Sequence, residues 1–323
     1  MRKGPSLVDL FCGAGGFGRG FYDLGFNVVY AVDHNKASAR SYKSNIPTAT
    51  VLCEDLRDLS CNDLKGMVGV DDVDVVIGSP PCEPFTAANS RRMKDPLDRL
   101  YKDPTGSLVL TFIEFVGCLN PKVFIMENVP AILDGELRDA LRNEFKLVDY
   151  SVYFNVLRAE DYGNPSKRTR VFISNIYLKP KPVNSFTTVL DAISDLPEPS
   201  EDPPIPNHEL PPNLSFRKLR KVSKLRWGSS LTMYEGVDKL IPNLIRLNPY
   251  RVAPTVLGAS RFIHPFENRL LTVREQARLM SFPDDHVFLG SKDEQYNQVG
   301  EAVPYVLSKV LAYEVLKFLN NYH

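Results

Sequence analysis

The sequence predicts an α/β fold: a doubly wound, mostly parallel sheet with a second, smaller and irregular domain. Two observations predict it. Short apolar runs rich in β-branched residues alternate with helical patterns in the first part of the chain, the mark of a sheet flanked by helices. From about Lys179 the texture changes, and prolines crowd residues 180–212, including Pro203-Pro204, Pro206 and Pro211-Pro212. That stretch reads as a linker into the smaller domain, because proline removes backbone donors and interrupts regular structure.

Leu7–Phe11 is the first expected strand, an apolar run ending on a glycine-rich turn, and Gly16–Leu24 is the helix after it. Val28–Val32 and Thr50–Cys53 are β-branched strands on either side of a helical pattern at Lys36–Asn45. Val73–Ile77 reads as a buried strand that stops abruptly at Pro80-Pro81. Helices at Gly106–Leu119 and Glu136–Phe145 flank a strand at Val123–Met126, and Val171–Ile176 is the last strand expected. A helical pattern resumes at Thr272–Met280, and an apolar helix at Val303–Leu319 follows it.

Composition bounds the function classes. The 323 residues carry 39 basic and 39 acidic side chains, so any nucleic-acid binding must rest on local clusters of charge. No run approaches the ~18 consecutive apolar residues of a membrane span. Met1-Arg2-Lys3-Gly4-Pro5 lacks the apolar region of a signal peptide. Five scattered cysteines without a C-x-x-C pair argue for reduced thiols in a cytosol. Five scattered histidines without ligand spacing leave no metal site to expect.

The ends of successive strands carry, in order, a glycine-rich turn, Asp33, Asp55, Cys82 and Glu127. A parallel sheet brings such ends to one rim, where ligands bind open α/β sheets. Cys82, on a loop just past the two prolines, is a candidate nucleophile: a free thiol of pKa roughly 8.5 is already a few per cent thiolate at neutral pH. A buried structural cysteine is the alternative. Gly13, Gly15 and Gly18 fit G-x-G-x-x-G, and Asp33, about twenty residues on, is placed to bind ribose hydroxyls. A nicotinamide dinucleotide and S-adenosylmethionine both satisfy that much. Cys82 and Glu127 favour the second, since hydride transfer needs neither a thiol nor a carboxylate there. Asp33 and Asp55 are also placed to cap helices.

These motifs resemble, in order, those of DNA cytosine-5 methyltransferases. Asp9-Leu10-Phe11-Cys12-Gly13-Ala14-Gly15-Gly16 is similar to that family's cofactor turn, Pro80-Pro81-Cys82 to its nucleophile loop, and Glu127-Asn128-Val129 to its Glu-Asn-Val element. Arg168-Thr169-Arg170 is similar to its Arg-x-Arg element, and Arg274-Glu275 with Phe282-Pro283-Asp284 to the segment closing the recognition region. Three departures from the pattern stand out: Glu83 stands for Gln, Ser166 for Gln, and the pair Glu301-Ala302 for Asn-Ser.

The resemblance implies a Rossmann-like catalytic domain over 1–177, a target-recognition domain over 178–265, and a segment, 266–323, returning to the catalytic domain. It implies a thiolate at Cys82 adding to C6 of cytosine, so that C5 becomes enamine-like and attacks the methyl group of S-adenosylmethionine. Glu127 would bind N3 and the exocyclic amine, a role that wants a carboxyl pKa raised by burial. Arg170 and Arg168 would hold O2 and organise the pocket, and Asn128 would brace the Cys82 loop. Cofactor contacts carry over to Asp9, Phe11, Cys12, Gly13, Ala14, Gly15, Gly16 and Phe17 in the turn. They carry over as well to Asp33 and His34, Asp55 and Leu56, Ser79 and Pro80, and Glu301 and Ala302.

The target atoms are inaccessible in a duplex, so base flipping of double-stranded DNA is implied. Residues 85–102 are long enough to close over the site, with Arg91, Arg92 and Lys94 as phosphate clamps. Arg217, Lys218, Arg220, Lys221, Lys224 and Arg226 form the densest basic run, read as DNA-facing or as a solvated helix face. His264-Pro265 and Trp227 are read as packing or turning the chain. A prokaryotic restriction–modification or orphan enzyme is expected, cytoplasmic and nucleoid-associated, monomeric, with a cognate restriction endonuclease as a further partner. A tRNA cytosine-5 methyltransferase on the same fold is the alternative, though its Cys-Phe-Thr tripeptide is absent from the recognition region.

Overall fold

The computed structural model describes residues 4–68, 73–237, 240–259 and 261–321. Its first half alternates β1 (Ser6–Leu10), α1 (Gly16–Asp23), β2 (Asn27–Val32), α2 (Lys36–Asn45), β3 (Thr50–Leu52), α3 (Cys61–Val68), β4 (Val75–Gly78), α4 (Pro96–Tyr101), α5 (Leu108–Leu119), β5 (Val123–Asn128) and α6 (Leu137–Leu147). β6 (Tyr153–Arg158) and β7 (Thr169–Ser174) follow as an antiparallel pair. The sheet runs β3-β2-β1-β4-β5-β7-β6. The first five strands are parallel, and β7 enters antiparallel between β5 and β6. β6 is not expected from the sequence, because this edge strand exposes Tyr153 and Val156 and its alternation is weak.

Every residue of β1, β4 and β5 is buried, as central strands covered on both faces must be. One apolar layer joins Phe17 and Phe21 of α1 to Leu307, Leu311 and Val315 of α11 (Tyr305–Asn320). The other gathers Leu64 of α3, Phe112 and Val116 of α5 and Leu141 of α6. In α6 the apolar positions Leu137, Leu141 and Phe145 recur every fourth residue on one face, and Phe145 stacks on Phe124 at 4.8 Å. Asn120 ends α5 in the left-handed region (φ 47°), which Asn tolerates better than most residues.

The remaining elements are α7 (Val189–Ile193), α8 (Phe216–Val222), β8 (Ser230–Glu235), β9 (Leu240–Arg246), β10 (Phe262–Ile263), α9 (Val273–Arg278), α10 (Lys292–Glu301) and α11. β10, β9 and β8 form a separate three-stranded sheet over a small core of Val222, Leu244, Ile263 and Leu270. This part is more regular than the sequence suggests. The proline-rich stretch is also not a free linker. His208 is fully buried between Thr272 Oγ1 and the Pro197 carbonyl, and Arg274 donates from Nε to the Pro206 carbonyl at 2.9 Å. Arg274 is itself fully buried and also donates to the carbonyls of Pro283 and His286. The Arg274-Glu275 pair therefore fastens the chain: Glu275 completes the capping box of α9 with Thr272 and pairs with Arg269.

The expectation of reduced thiols is corrected for one pair. Cys61 and Cys118 are disulfide-bonded, while Cys12, Cys53 and Cys82 are free. The partners lie 57 residues apart and meet only because α3 and α5 pack on the same face of the sheet, which spacing cannot reveal. Closing a loop of that length stabilises by about 4 kcal/mol in the chain-entropy model. Thermal unfolding with and without dithiothreitol checks this: the reduced protein melts lower, and Cys61→Ser lowers the melting temperature equally without dithiothreitol.

Candidate active site

The strand order reverses at β1 and β4, so a crevice opens beyond their carboxyl ends. Gly78 ends β4 because a Cβ there would sit 2.6 Å from the Leu10 carbonyl and from the Phe112 ring. The glycine turn follows β1. Cys12 N–H donates to the Val32 carbonyl and Gly15 N–H to the Cys12 carbonyl, both at 3.0 Å. Gly15 (φ 95°) then caps α1 in a conformation that favours glycine.

Asp33, just past β2, accepts from the backbone N–H of Gly13 and of Asn35, each at 2.8 Å. An ionised carboxylate has about four acceptor sites, so capacity for further hydroxyl donors remains. Asp55, past β3, caps a short 3-10 turn through Arg57 N–H (2.9 Å) and pairs with the Arg57 guanidinium at 2.6 Å. That pairing lowers its pKa to about 2. Asp55 thus acts as a cap, whereas Asn35 caps α2 and Asp33 instead braces the glycine turn, and both acids face the crevice. Phe11, Asp33, His34, Asp55 and Leu56 line one cavity of about 170 Å³. Val32, Glu54, Arg57, Pro81, Thr105 and Leu108 line it too. Five of these, all but Pro81 of the nucleophile loop, are not among the residues expected at the site, although the start of α5 was a usable signal for Thr105 and Leu108.

Across the crevice the Cys82 carbonyl accepts from the N–H groups of Phe85 and Thr86, both at 3.0 Å, and Phe85 is a fully buried anchor. Asn128 Nδ2 donates to the Pro80 carbonyl at 3.1 Å, tying the end of β5 to this loop. Burial pushes the Cys82 thiol up to about 11, with Glu83 adding to the rise and Arg170 opposing it. In the free protein Cys82 is therefore a thiol, not the partly ionised group expected from its ordinary pKa.

Glu127 on β5 pairs with Phe172 on β7, so Arg170, two residues along β7, lies on the same face. Arg170 Nε meets Glu127 Oε1 at 2.8 Å, with the two side chains 11% and 7% exposed. Arg168 is buried and donates from Nη1 to the Val256 carbonyl at 2.9 Å, while its Nε has no partner among the described residues. Burial lowers its pKa to about 9, so it stays cationic at neutral pH. Ser166, at the second departure, donates to the Leu279 carbonyl at 2.7 Å.

Residues 6–317 match the family model described as C-5 cytosine-specific DNA methylase. The chain belongs to that family. The methylase is 48% identical over 97% of its length to a Methanocaldococcus jannaschii protein, M.MJ0563P, that bears a provisional type II methyltransferase name and is covered in full. It is 36% identical over 98% of its length to the type II methyltransferase M1.HphI of Haemophilus parahaemolyticus, of which 88% is covered. The structure of a prophage-encoded E. coli protein that bears a provisional DNA modification methyltransferase name superposes with a TM-score of 0.78 at 24% identity, covering 98% and 99% of the two chains. The methylase is thus a DNA (cytosine-5-)-methyltransferase with the family's α/β sheet.

Several side chains lie elsewhere than the sequence suggests. Asp9, Cys12 and Phe17 are buried, Cys12 and Phe17 in the core beneath α1, so only their backbones reach the turn. Arg92 turns inward to the Phe85 carbonyl and is only partly exposed, which corrects its reading as a phosphate clamp. Arg91 and Lys94 are exposed. The segment 85–102 is built around α4 and a buried Arg99 that donates to the Met93 and Lys94 carbonyls, so it is ordered rather than open. Ser79 N–H donates to the Leu10 carbonyl at 3.2 Å and Pro80 is buried. Ala302 sits against Gly16, where a Cβ would be 2.8 Å away, and Glu301 is exposed at the end of α10.

Burial raises the Asp9 carboxyl to about 8, against a Tyr42 hydrogen bond of 2.9 Å that lowers it. The folded methylase then holds a proton that the unfolded chain releases near pH 4. Stability falls as pH rises from about 4 to about 8, the window in which the native state binds more protons. Melting temperatures across that window check this, with Asp9→Asn expected to flatten the slope.

Proposed function

We propose that this methylase transfers a methyl group to C5 of a flipped cytosine in a specific duplex sequence, with Cys82 as nucleophile. One observation carries the reading. The Glu127–Arg170 pair and Cys82 share the rim of a crevice whose other wall is the cavity bounded by Asp33 and Asp55. The donor set fits S-adenosylmethionine. Asp33 retains acceptor capacity for ribose hydroxyls, Asp55 and Arg57 supply polar contacts, and Phe11, Leu56, Pro81 and Leu108 give apolar faces for a purine. When bound, that cofactor supplies an electrophilic methyl group.

Cys82 gives up its proton to solvent, favoured by the neighbouring guanidinium of Arg170. Its sulfur bonds to C6, the C5=C6 electrons moving to C5 while N3 takes a proton through Glu127. Once C5 carries the methyl group its own proton leaves, the C5=C6 bond re-forms and the sulfur is expelled. Glu127 holds N3 and the exocyclic amine, and Arg170, fixed by Glu127, presents its remaining N–H groups to O2. Arg168 keeps the start of β7 against the Val256 backbone. Asn128 fixes the peptide that precedes Cys82, so the sulfur keeps its place. Gly13, Ala14, Gly15 and Gly16 offer backbone to the cofactor, with His34, Ser79, Glu301 and Ala302 around it.

In this reading residues 1–177 and 266–323 make the catalytic unit, and 178–265 read the sequence. Arg91, Lys94 and the basic run of α8 and its exit meet phosphates. The relatives' type II names support a restriction–modification setting; a cognate endonuclease, a monomeric enzyme and a cytoplasmic location at the nucleoid belong to the same proposal. Tritium transfer from labelled cofactor to duplex DNA and to tRNA tests the reading. Label enters duplex DNA, and bisulfite sequencing then gives the context. Label in tRNA alone would sink it.

A further inference from the structure

His286 is fully buried and has no part in the proposed chemistry. Its ring lies in an apolar slot, with the Phe282 and Phe288 rings 4.6 and 5.0 Å away between centroids. Nε2 meets the Ala14 carbonyl at 3.0 Å, whereas Nδ1 has no partner among the described residues. A carbonyl only accepts, which assigns the proton to Nε2 and leaves Nδ1 a bare acceptor. Burial above all, with the Arg19 and Arg274 guanidiniums adding to it, lowers the pKa to about 3, so the ring is neutral at neutral pH. A phenylalanine would fill this slot without stranding a nitrogen. What the imidazole adds is one N–H on Ala14.

That N–H acts on the glycine turn. The Ala14–Gly15 peptide is held at both ends: Gly15 N–H donates to the Cys12 carbonyl at 3.0 Å, and the Ala14 carbonyl accepts from His286. Gly13 N–H is committed to Asp33 at 2.8 Å. The ring itself stands on a fixed segment. Asn45 of α2 exchanges two hydrogen bonds of 2.8 Å with the Val287 backbone. Asn207 exchanges two, of 2.8 and 2.9 Å, with the backbone of Phe288. A shift of the turn would therefore break the bond to Ala14 rather than carry the ring along. Holding a binding loop in its bound shape raises affinity by removing the cost of ordering it.

We propose that His286 is a positioning residue for cofactor affinity: by holding the Ala14 carbonyl it keeps the glycine turn in the shape that receives S-adenosylmethionine. It rests on the cofactor reading above and adds to that site a residue 272 positions from the turn, in the segment that returns to the catalytic unit.

Isothermal calorimetry of the full chain with S-adenosylmethionine and with S-adenosylhomocysteine tests it. His286→Phe keeps a ring in the slot and loses the N–H, and its affinity for both molecules is expected to fall about tenfold, the worth of one hydrogen bond. In steady-state methylation the same variant is expected to raise KM for the cofactor about tenfold and leave kcat unchanged, because the bond is made equally before and during reaction. His286→Gln, whose amide nitrogen reaches the place of Nε2, is expected to restore both affinities and KM. Should the Phe variant not fold, His286→Leu takes its place. A ring that only packs would lower the melting temperature of these variants and leave both dissociation constants at the parental values, and that result overturns the proposal. A parent chain that binds neither molecule overturns the cofactor reading, and this proposal with it.

Discussion

Cys82→Ala abolishes methyl transfer while leaving the fold and the binding of cofactor and duplex DNA in place. The expected loss is on the order of 10⁶-fold, as when other enzymes lose the nucleophile of a covalent mechanism. The side chain is partly buried on a loop whose position is set by other groups: the Phe85 anchor, the two N–H bonds to the Cys82 carbonyl, and Asn128 on Pro80. Removing one sulfur therefore changes the chemistry and little else. Incorporation of tritiated methyl, with melting temperature and DNA affinity as controls, separates the two. Turnover within tenfold of the parent protein would end the assignment.

Glu127→Gln is the second large effect. Glutamine keeps the length and one acceptor oxygen for Arg170 Nε, so the β5–β7 contact survives. It can no longer move a proton to the ring nitrogen, and kcat is expected to fall by about 10²–10⁴-fold with a smaller change in KM. Arg170→Ala is the contrasting variant. It strands the Glu127 carboxylate at 7% exposure without its partner 2.8 Å away, and a cost of about 3–5 kcal/mol in stability accompanies the loss of activity. Urea unfolding beside steady-state kinetics distinguishes them: Glu127→Gln loses rate and keeps its midpoint, Arg170→Ala loses both. A Glu127→Gln enzyme with parental kcat would remove the acid from the reaction.

The parallel half of the sheet was legible because strand order and residue type agree. Asp33, Asp55 and Cys82 each follow an apolar run, and parallel strands bring such positions together whatever the loops do. The meeting of Arg170 with Glu127 was not legible in that way. It depends on β7 running antiparallel beside β5, so that the start of one strand faces the end of the other. Arg92 and Arg99 look like solvated cations in a polar loop, and only the folded segment shows that backbone carbonyls take them up. The Cys61–Cys118 pair and the burial of His208 and Arg274 likewise depend on contacts across long stretches of chain. Periodicity carries no trace of such contacts.

The claim that orders the rest is a bond between Cys82 sulfur and C6 of the target base. A duplex carrying 5-fluorocytosine at the methylated position tests it, because fluorine at C5 cannot leave as a proton does and the sulfur is then not expelled. Incubation with cofactor, proteolysis and mass spectrometry of the DNA-linked peptide make the measurement. The expected result is a stoichiometric adduct on the peptide containing Cys82. An enzyme that methylates the natural duplex yet gives no adduct, or one at Cys12 or Cys53, would contradict it.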